Sequence, residues 1–137
     1  APGQPANDQV LVEKMLDTPL AELLVGVQND PQFGLVMTIA GGGTLVELMD
    51  DSTTVLLPID RADLYEALTS LKIMPLLQGY RSRPAADLDQ LLDTLLAISA
   101  MAQQLAYQLI EMDINPVLVT ENGCFAADAL IQISDHG

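Results

Sequence analysis

Residues 110–115, Ile-Glu-Met-Asp-Ile-Asn, switch between apolar and polar at every step. A period of two is the pattern of a half-buried strand. It puts Glu111, Asp113 and Asn115 on one face and Ile110, Met112 and Ile114 on the other. Pro116 has no N–H to give to a ladder, so it marks an edge or a break. Val117-Leu118-Val119 resumes the extended run, and Asn122-Gly123 is a strong hairpin signal for a type I′ turn. That turn predicts Glu121 opposite Cys124 and, counting back, Val117 opposite Asp128. With Val117 on the face of Asp113 and Asn115, Asp128 joins them as the diagonal neighbour of Asn115. Two carboxylates and an amide oxygen on one patch of sheet suit a hard cation, and magnesium is often held by one or two carboxylates plus a substrate phosphate. The competing reading is a solvated acidic strand face. Register decides between them, because a slip of one residue sends Asp128 to the opposite side.

Such a hairpin needs a core to lie on. Half of the 137 residues are hydrophobic and 18% are charged, a globular composition sufficient for one domain. The 19 acidic residues against 5 basic ones give a net charge of −14. A surface so poor in cations repels nucleic acid and anionic membranes, so a bound polyphosphate would need a metal ion or a basic partner. Aromatic residues, at 4%, provide no stacking platform for single strands. No apolar run reaches the length of a membrane-spanning helix, and the start, Ala1-Pro2-Gly3-Gln4-Pro5, lacks a signal-peptide core. Together with a single cysteine, Cys124, read as a small strand hydrophobe, this predicts a cytoplasmic protein. His136, one residue from the end, is poorly placed for a general base, and no Cys–His pair or Ser–His–Asp set supports nucleophilic hydrolysis.

Taken in order, residues 1–8 read as a loop or boundary segment, a start that suggests a chain cut from something longer. Strands are predicted over 10–15, 21–27 and 34–39, joined by turns at Asp17-Thr18-Pro19 and Asn29-Asp30-Pro31, as an antiparallel meander. Gly41-Gly42-Gly43 is either a backbone cradle for phosphate or a tight turn, and no Gly-Lys-Ser/Thr follows to make a Walker loop. Extended segments over 44–48 and 53–58 come next. Asp60 is a candidate N-cap for a helix with an apolar stripe of Leu64, Ala67, Leu68 and Leu71. A short helix over 73–79 ends at Gly79. Arg81 and Arg83, in the following loop, either clamp an anion or bridge local carboxylates. Asp87 and Gln90 are spaced as a capping box, opening the longest helix, with Leu88, Leu91, Leu92, Leu95, Ile98, Ala102 and Leu105 on its buried face. The hairpin follows, then a tail over 134–137. The plan is α+β, a mixed, mostly antiparallel sheet with helices packed on it, in one domain.

The chain also resembles the second lobe of an ATP-grasp domain, of the kind found in nucleoside-diphosphate-forming acyl-CoA synthetases and in the succinyl-CoA synthetase β-subunit. The matching stretches run through Val10–Met15, Ala21–Val27, Asp30–Gly34, Gly42–Glu47, Leu77–Arg81 and Glu111–Pro116, followed by Asp128-Ala129. Their order and spacing carry the match. The resemblance implies an ATP-grasp second lobe over 9–133. It implies nucleotide contacts at Glu13, at the backbone of Met15 and Leu16, and at Glu22, with Asn115 and Asp128 as magnesium ligands. Asp113 stands where the pattern has glutamate, one methylene longer, which puts its direct coordination in doubt. Ala40 in place of the first glycine of Gly-x-Gly-Gly, and Ser82 in place of the glycine after arginine, are further departures.

What the resemblance implies for function is the nucleotide- and magnesium-binding part of an ADP-forming acyl-CoA synthetase. Such a part acts in phosphoryl transfer between ATP or ADP and an acyl phosphate or phosphohistidine. The phosphate-gripping lysines of a first lobe, and a CoA-binding and phosphohistidine region, would be partners supplied from elsewhere in the protein or by another subunit. The isolated chain would then be inactive. No nucleic-acid or membrane partner is expected, and an oligomer is possible. Two alternatives stay open: a regulatory module of a protein lysine acetyltransferase, and an interaction domain that has lost nucleotide.

Overall fold

The strand Ala21–Asp30, β1, shows in ten residues how the sheet is built. Ala21, Leu23, Val25 and Val27 are buried, whereas Glu22, Leu24 and Gly26 between them are half-buried and Gln28 is exposed. One face of the strand therefore meets a core and the other meets the outside. A computed structural model of the chain describes residues 19–42, 50–79 and 82–135. The expected strands over 10–15 and 44–48, with Glu13, Met15, Leu16 and Glu47, lie outside the described residues, as do Gly43, Arg81 and His136.

β1 turns at Asp30, whose Oδ1 accepts the N–H groups of Gln32 at 2.8 Å and Phe33 at 3.0 Å. Gly34, at φ +80°, completes the turn in a conformation that costs glycine little. β2 (Gly34–Gly41) then pairs antiparallel with β1, and β3 (Ser52–Leu56) with β2. Three helices follow: α1 (Arg61–Thr69), α2 (Met74–Leu77) and α3 (Leu88–Gln104). Their starts agree with the sequence. Asp60 accepts the N–H of Asp63 at 2.8 Å and Asp87 that of Gln90 at 3.0 Å, each satisfying a donor that the helix leaves unpaired. β4 (Leu109–Thr120), β5 (Gly123–Ala126) and β6 (Ala129–Ile133) complete a six-stranded sheet in the order β3-β2-β1-β4-β5, with β6 also on β4. Every described pairing is antiparallel.

All three helices pack on the same face. Leu64 and Leu68 of α1, Met74 and Leu77 of α2, and Leu91, Leu92, Leu95, Ile98 and Ala102 of α3 join Leu23, Val25, Val27, Met37, Ile39, Met112, Ile114, Val117 and Val119 in one core. The helical stripe read at a period of 3.6 is the buried one. On the surface, Arg61 ties α1 to α3 through Asp93 at 2.6 Å and Asp89 at 3.0 Å. These hydrogen bonds, to Asp93 first and then to Asp89, raise the Arg61 pKa above its ordinary value. Arg83 donates to the carbonyl of Leu20 at 3.2 Å.

Two details of β4 depart from the simple alternation. Ile110, expected in the core, is 52% exposed, because the ladder to β6 shifts between Leu109 and Glu111 and leaves Ile110 outside the pairing. Val117, expected beside Asp113 and Asn115, is fully buried. Val25 pairs with Ile114 and Leu23 with Val117, so Asn115 and Pro116 together oppose the single residue Leu24. That bulge flips the parity of the strand, and proline, which has no N–H to contribute, is well suited to it.

Candidate functional site

The helices leave the other face of the sheet open. Leu24, Gly26 and Gln28 on β1, Val36, Thr38 and Ala40 on β2, and Asp113 and Asn115 on β4 line a groove of about 490 Å³ there. Its floor is largely apolar. Among the described residues Asp113 is its one acidic lining residue, while Gln28, Thr38 and Asn115 add neutral polar groups. Thr38 also pairs with Thr54 of β3, their hydroxyls 3.0 Å apart. Gly26 and Asp113 are cross-strand partners, and a Cβ on Gly26 would stand 3.3 Å from Asp113 Oδ1. The carboxylate thus lies over β1, at the position where a side chain on residue 26 would begin.

Asp128 reaches this region by a register different from the one expected. Val119 pairs with Cys124 and Val117 with Ala126, two residues away from the expected partners Glu121 and Asp128. The turn is centred on Glu121-Asn122 rather than Asn122-Gly123. Neither Glu121 nor Asn122 has a positive φ, as a type I′ turn requires, while Gly123 sits at φ +152°. Thr120 explains the preference: its buried hydroxyl accepts the Asn122 N–H and donates to the Gly123 carbonyl, each at 3.1 Å. β6 keeps the same register, with Ile114 opposite Ala129. Asp128 therefore lies directly across from Asn115, not diagonally, and the Asn115 N–H donates to the Asp128 carbonyl at 3.1 Å. The hairpin register thus differs by two residues from the expected one and Val117 lies on the opposite face, yet Asp128 still stands beside Asn115.

The donor set fits a hard cation in kind, since Asp113, Asn115 and Asp128 are all exposed and all carry side-chain oxygens. One Asp128 oxygen, Oδ1, accepts the Ala129 N–H at 2.9 Å. Among the described residues, no three His, Cys, Asp or Glu side chains are grouped closely enough to hold a metal ion by themselves. Two carboxylates and an amide make an incomplete shell, one that phosphate oxygens or water would have to fill. Glu22 is on the same face of β1 as Gly26, but four residues along, roughly 13 Å at strand rise, and it does not line the groove. Its carbonyl accepts the Gly42 N–H at 2.8 Å. Glu111 is half-buried between Gln28 of β1 and Gln132 of β6.

Sequence reasoning overlooked Gly26, Gln28 and Thr38. For Gly26 a signal was present, since an isolated glycine inside a strand often marks close approach of another group. For the other two there was none. Cys124, read as a strand hydrophobe, is half-buried on β5. Burial, with Asp87 nearby, pushes its thiol up to about 11 against the opposing effect of a hydrogen bond with Thr94. No described helix is long and apolar enough to cross a membrane.

A family profile described as an ATP-grasp domain matches residues 3–133. The β-subunit of acetate–CoA ligase (ADP-forming) II from Pyrococcus furiosus is 38% identical over 114 residues, 83% of this chain and 48% of that one. Acetate–CoA ligase (ADP-forming) I from Archaeoglobus fulgidus is 38% identical over 119 residues, 87% of this chain but 17% of its own length. Among solved structures, the dinucleotide-forming acetyl-coenzyme A synthetase 1 of Ca. Korarchaeum cryptofilum superposes with a TM-score of 0.77 at 28% identity, covering 91% of this chain and 60% of that one. That structure holds coenzyme A and Mg-AMPPCP, with a phosphohistidine segment pointing towards the nucleotide binding site. The chain thus spans about half the length of the Pyrococcus subunit and under a fifth of the Archaeoglobus protein.

Proposed function

Because the chain belongs to the ATP-grasp domain family, we propose that it is the nucleotide- and magnesium-binding part of an ADP-forming acyl-CoA synthetase. The complete protein would convert acyl-CoA, ADP and phosphate into carboxylate, CoA and ATP, and the reverse. The observation that carries the reading is the open sheet face, where Asp113 and Asn115 border a largely apolar groove and Asp128 stands across from Asn115. Apolar walls with a few convergent polar groups are what a nucleotide site needs. Residues 9–133 act as the second ATP-grasp lobe in this reading.

Each residue then has a task. The oxygens of Asn115 and Asp128 hold the cation at the edge of the groove, while Asp113, with its shorter side chain, leans over β1, away from Asp128, and meets the metal nucleotide from the groove side. Glu13, Glu22 and the backbone of Met15 and Leu16 contact the nucleotide. Magnesium, when bound, neutralises charge on the phosphate oxygens during transfer. The groove walls exclude water from the base and sugar, and the acidic ligands keep the phosphates at one end of the site. A chain at −14 cannot hold a polyphosphate with its own charges. Lysines from another lobe, and a phosphohistidine segment such as the one in the Korarchaeum structure, complete the machinery, so the 137-residue chain alone has no ligase activity. Calorimetric titration of the full-length protein with Mg-ADP tests the reading. Saturable binding below millimolar nucleotide is expected, and no binding at millimolar concentrations would reject it.

A further inference from the structure

Gly26 stands in the middle of β1 with no local reason to be glycine. The glycines with positive φ among the described residues are Gly34, Gly79 and Gly123, not Gly26. Glycine inside a strand weakens it, because there is more backbone freedom to lose and no side chain to pack. Nor is backbone space the limit: a Cβ here would sit 3.8 Å from the Met112 carbonyl, an ordinary contact. The tight contact, 3.3 Å, is with Oδ1 of Asp113.

We infer that Gly26 is a positioning residue, whose missing side chain lets the Asp113 carboxylate lie across β1 towards the groove and face the cation of a bound nucleotide. The inference rests on the nucleotide reading of the groove. Asp113 has little reach of its own, so the direction in which it leans decides whether its oxygen can touch a ligand. Among the described residues nothing hydrogen-bonds that carboxylate, and its Oδ1 lies 3.3 Å from where a Cβ on residue 26 would stand. A methyl group at position 26 would press the oxygen aside by a few tenths of an ångström. Valine, with two further carbons on the groove side, would turn it away.

The test uses the full-length protein and its Gly26→Ala, Gly26→Val, Asp113→Ala and Gly26→Val/Asp113→Ala variants. Each is titrated calorimetrically with Mg-ADP and with ADP in EDTA, and its thermal unfolding is recorded. Gly26→Val should weaken Mg-ADP binding about tenfold, the scale on which indirect supports of a metal ligand act. Gly26→Ala should weaken it less, with an unchanged or raised melting temperature. ADP binding in EDTA should fall by a clearly smaller factor than Mg-ADP binding for both. The double variant should bind Mg-ADP no more weakly than Asp113→Ala alone. Equal losses with and without metal, or a valine effect that persists undiminished without Asp113, would overturn the inference and leave Gly26 as plain groove floor. Should Gly26→Val fail to fold, the alanine variant decides by the same metal-dependent difference. A wild-type protein that binds no Mg-ADP sinks the nucleotide reading and this inference together; one that binds, with both Gly26 variants at full affinity, sinks this inference alone.

Discussion

The buried carboxylate of Asp51 accepts the backbone N–H of Ile73 at 2.9 Å through one oxygen and that of Lys72 at 2.6 Å through the other. An acidic side chain at the entrance to β3 thereby closes the connection between α1 and α2, and its carbonyl accepts the Gly41 N–H at 2.8 Å. Removing the carboxylate takes away the acceptor of both N–H bonds, so Asp51→Ala should cost about 1–3 kcal/mol of stability. Asp51→Asn keeps one acceptor and should lose less. Urea denaturation measures both, and a change within about 0.5 kcal/mol for alanine would show that water replaces the carboxylate.

Two leucines on opposite sides of the sheet should behave differently. Leu95, on α3, is fully buried, while Leu130, on β6, is 60% exposed. Leu95→Ala should destabilise by about 2–5 kcal/mol, the transfer loss plus a cavity that the core only partly collapses. Leu130→Ala should stay within about 0.5 kcal/mol. A large loss at Leu130 in the full-length protein would reveal that another part of the protein covers that strand.

Asp128→Asn keeps the size of the side chain and the main-chain bond to Asn115, so folding should be nearly unaffected. If Asp128 holds magnesium, turnover of the full-length protein should fall by about 100-fold or more, the several kcal/mol that a bound cation supplies to charge stabilisation. Steady-state kinetics against magnesium concentration check it. Turnover that survives with unchanged magnesium dependence removes Asp128 from the ligand set.

Cys124 should be a slow nucleophile. Its thiol, pushed up to about 11 from an ordinary 9.0 chiefly by burial, leaves very little thiolate at pH 8. Alkylation by iodoacetamide in the folded protein should run about 100-fold slower than in urea. The sign of the linkage follows from the raised value: the folded state holds this proton more tightly than the unfolded one. Its contribution is complete below about 9 and lost as the pH rises towards about 11. Equal alkylation rates in buffer and urea would show that the thiol is not shielded.

Much of this was legible in the residues. Asp60 and Asp87 announced their helices because a short carboxylate before an apolar run has one favourable use, to cap free amide donors. The stripe from Leu91 to Ala102 identified its buried face because only one helix surface collects residues at that spacing. Ile110 and Val117 were misplaced because a bulge leaves no mark in a pattern of polarity. Each residue is as apolar as its neighbours, and only the pairing with β1 or β6 decides which side it takes. The turn was misjudged for a related reason. Asn122-Gly123 has the composition of a type I′ turn, but the Thr120 hydroxyl, which binds the loop from the strand end, outweighs it. Asp128 came out beside Asn115 despite these errors because the two register errors together preserved its face. Gly26 was overlooked because its role concerns Asp113, 87 positions further along the chain and adjacent only once β1 and β4 pair.

The bond from the Asn115 N–H to the Asp128 carbonyl has a thermodynamic consequence. It joins Asn115 of β4 to Asp128, in the two-residue link between β5 and β6, at the level of the main chain, so their spacing is set by backbone pairing and not by chance side-chain excursions. A ligand pair carried on loops would lose backbone freedom on capture, at about 1–2 kcal/mol for each residue fixed. Here that loss has already occurred on folding. If Asn115 and Asp128 hold the cation, its capture restricts only their side-chain torsions, and the strength of binding is left to be set by the arriving ion and by whatever oxygens it brings with it.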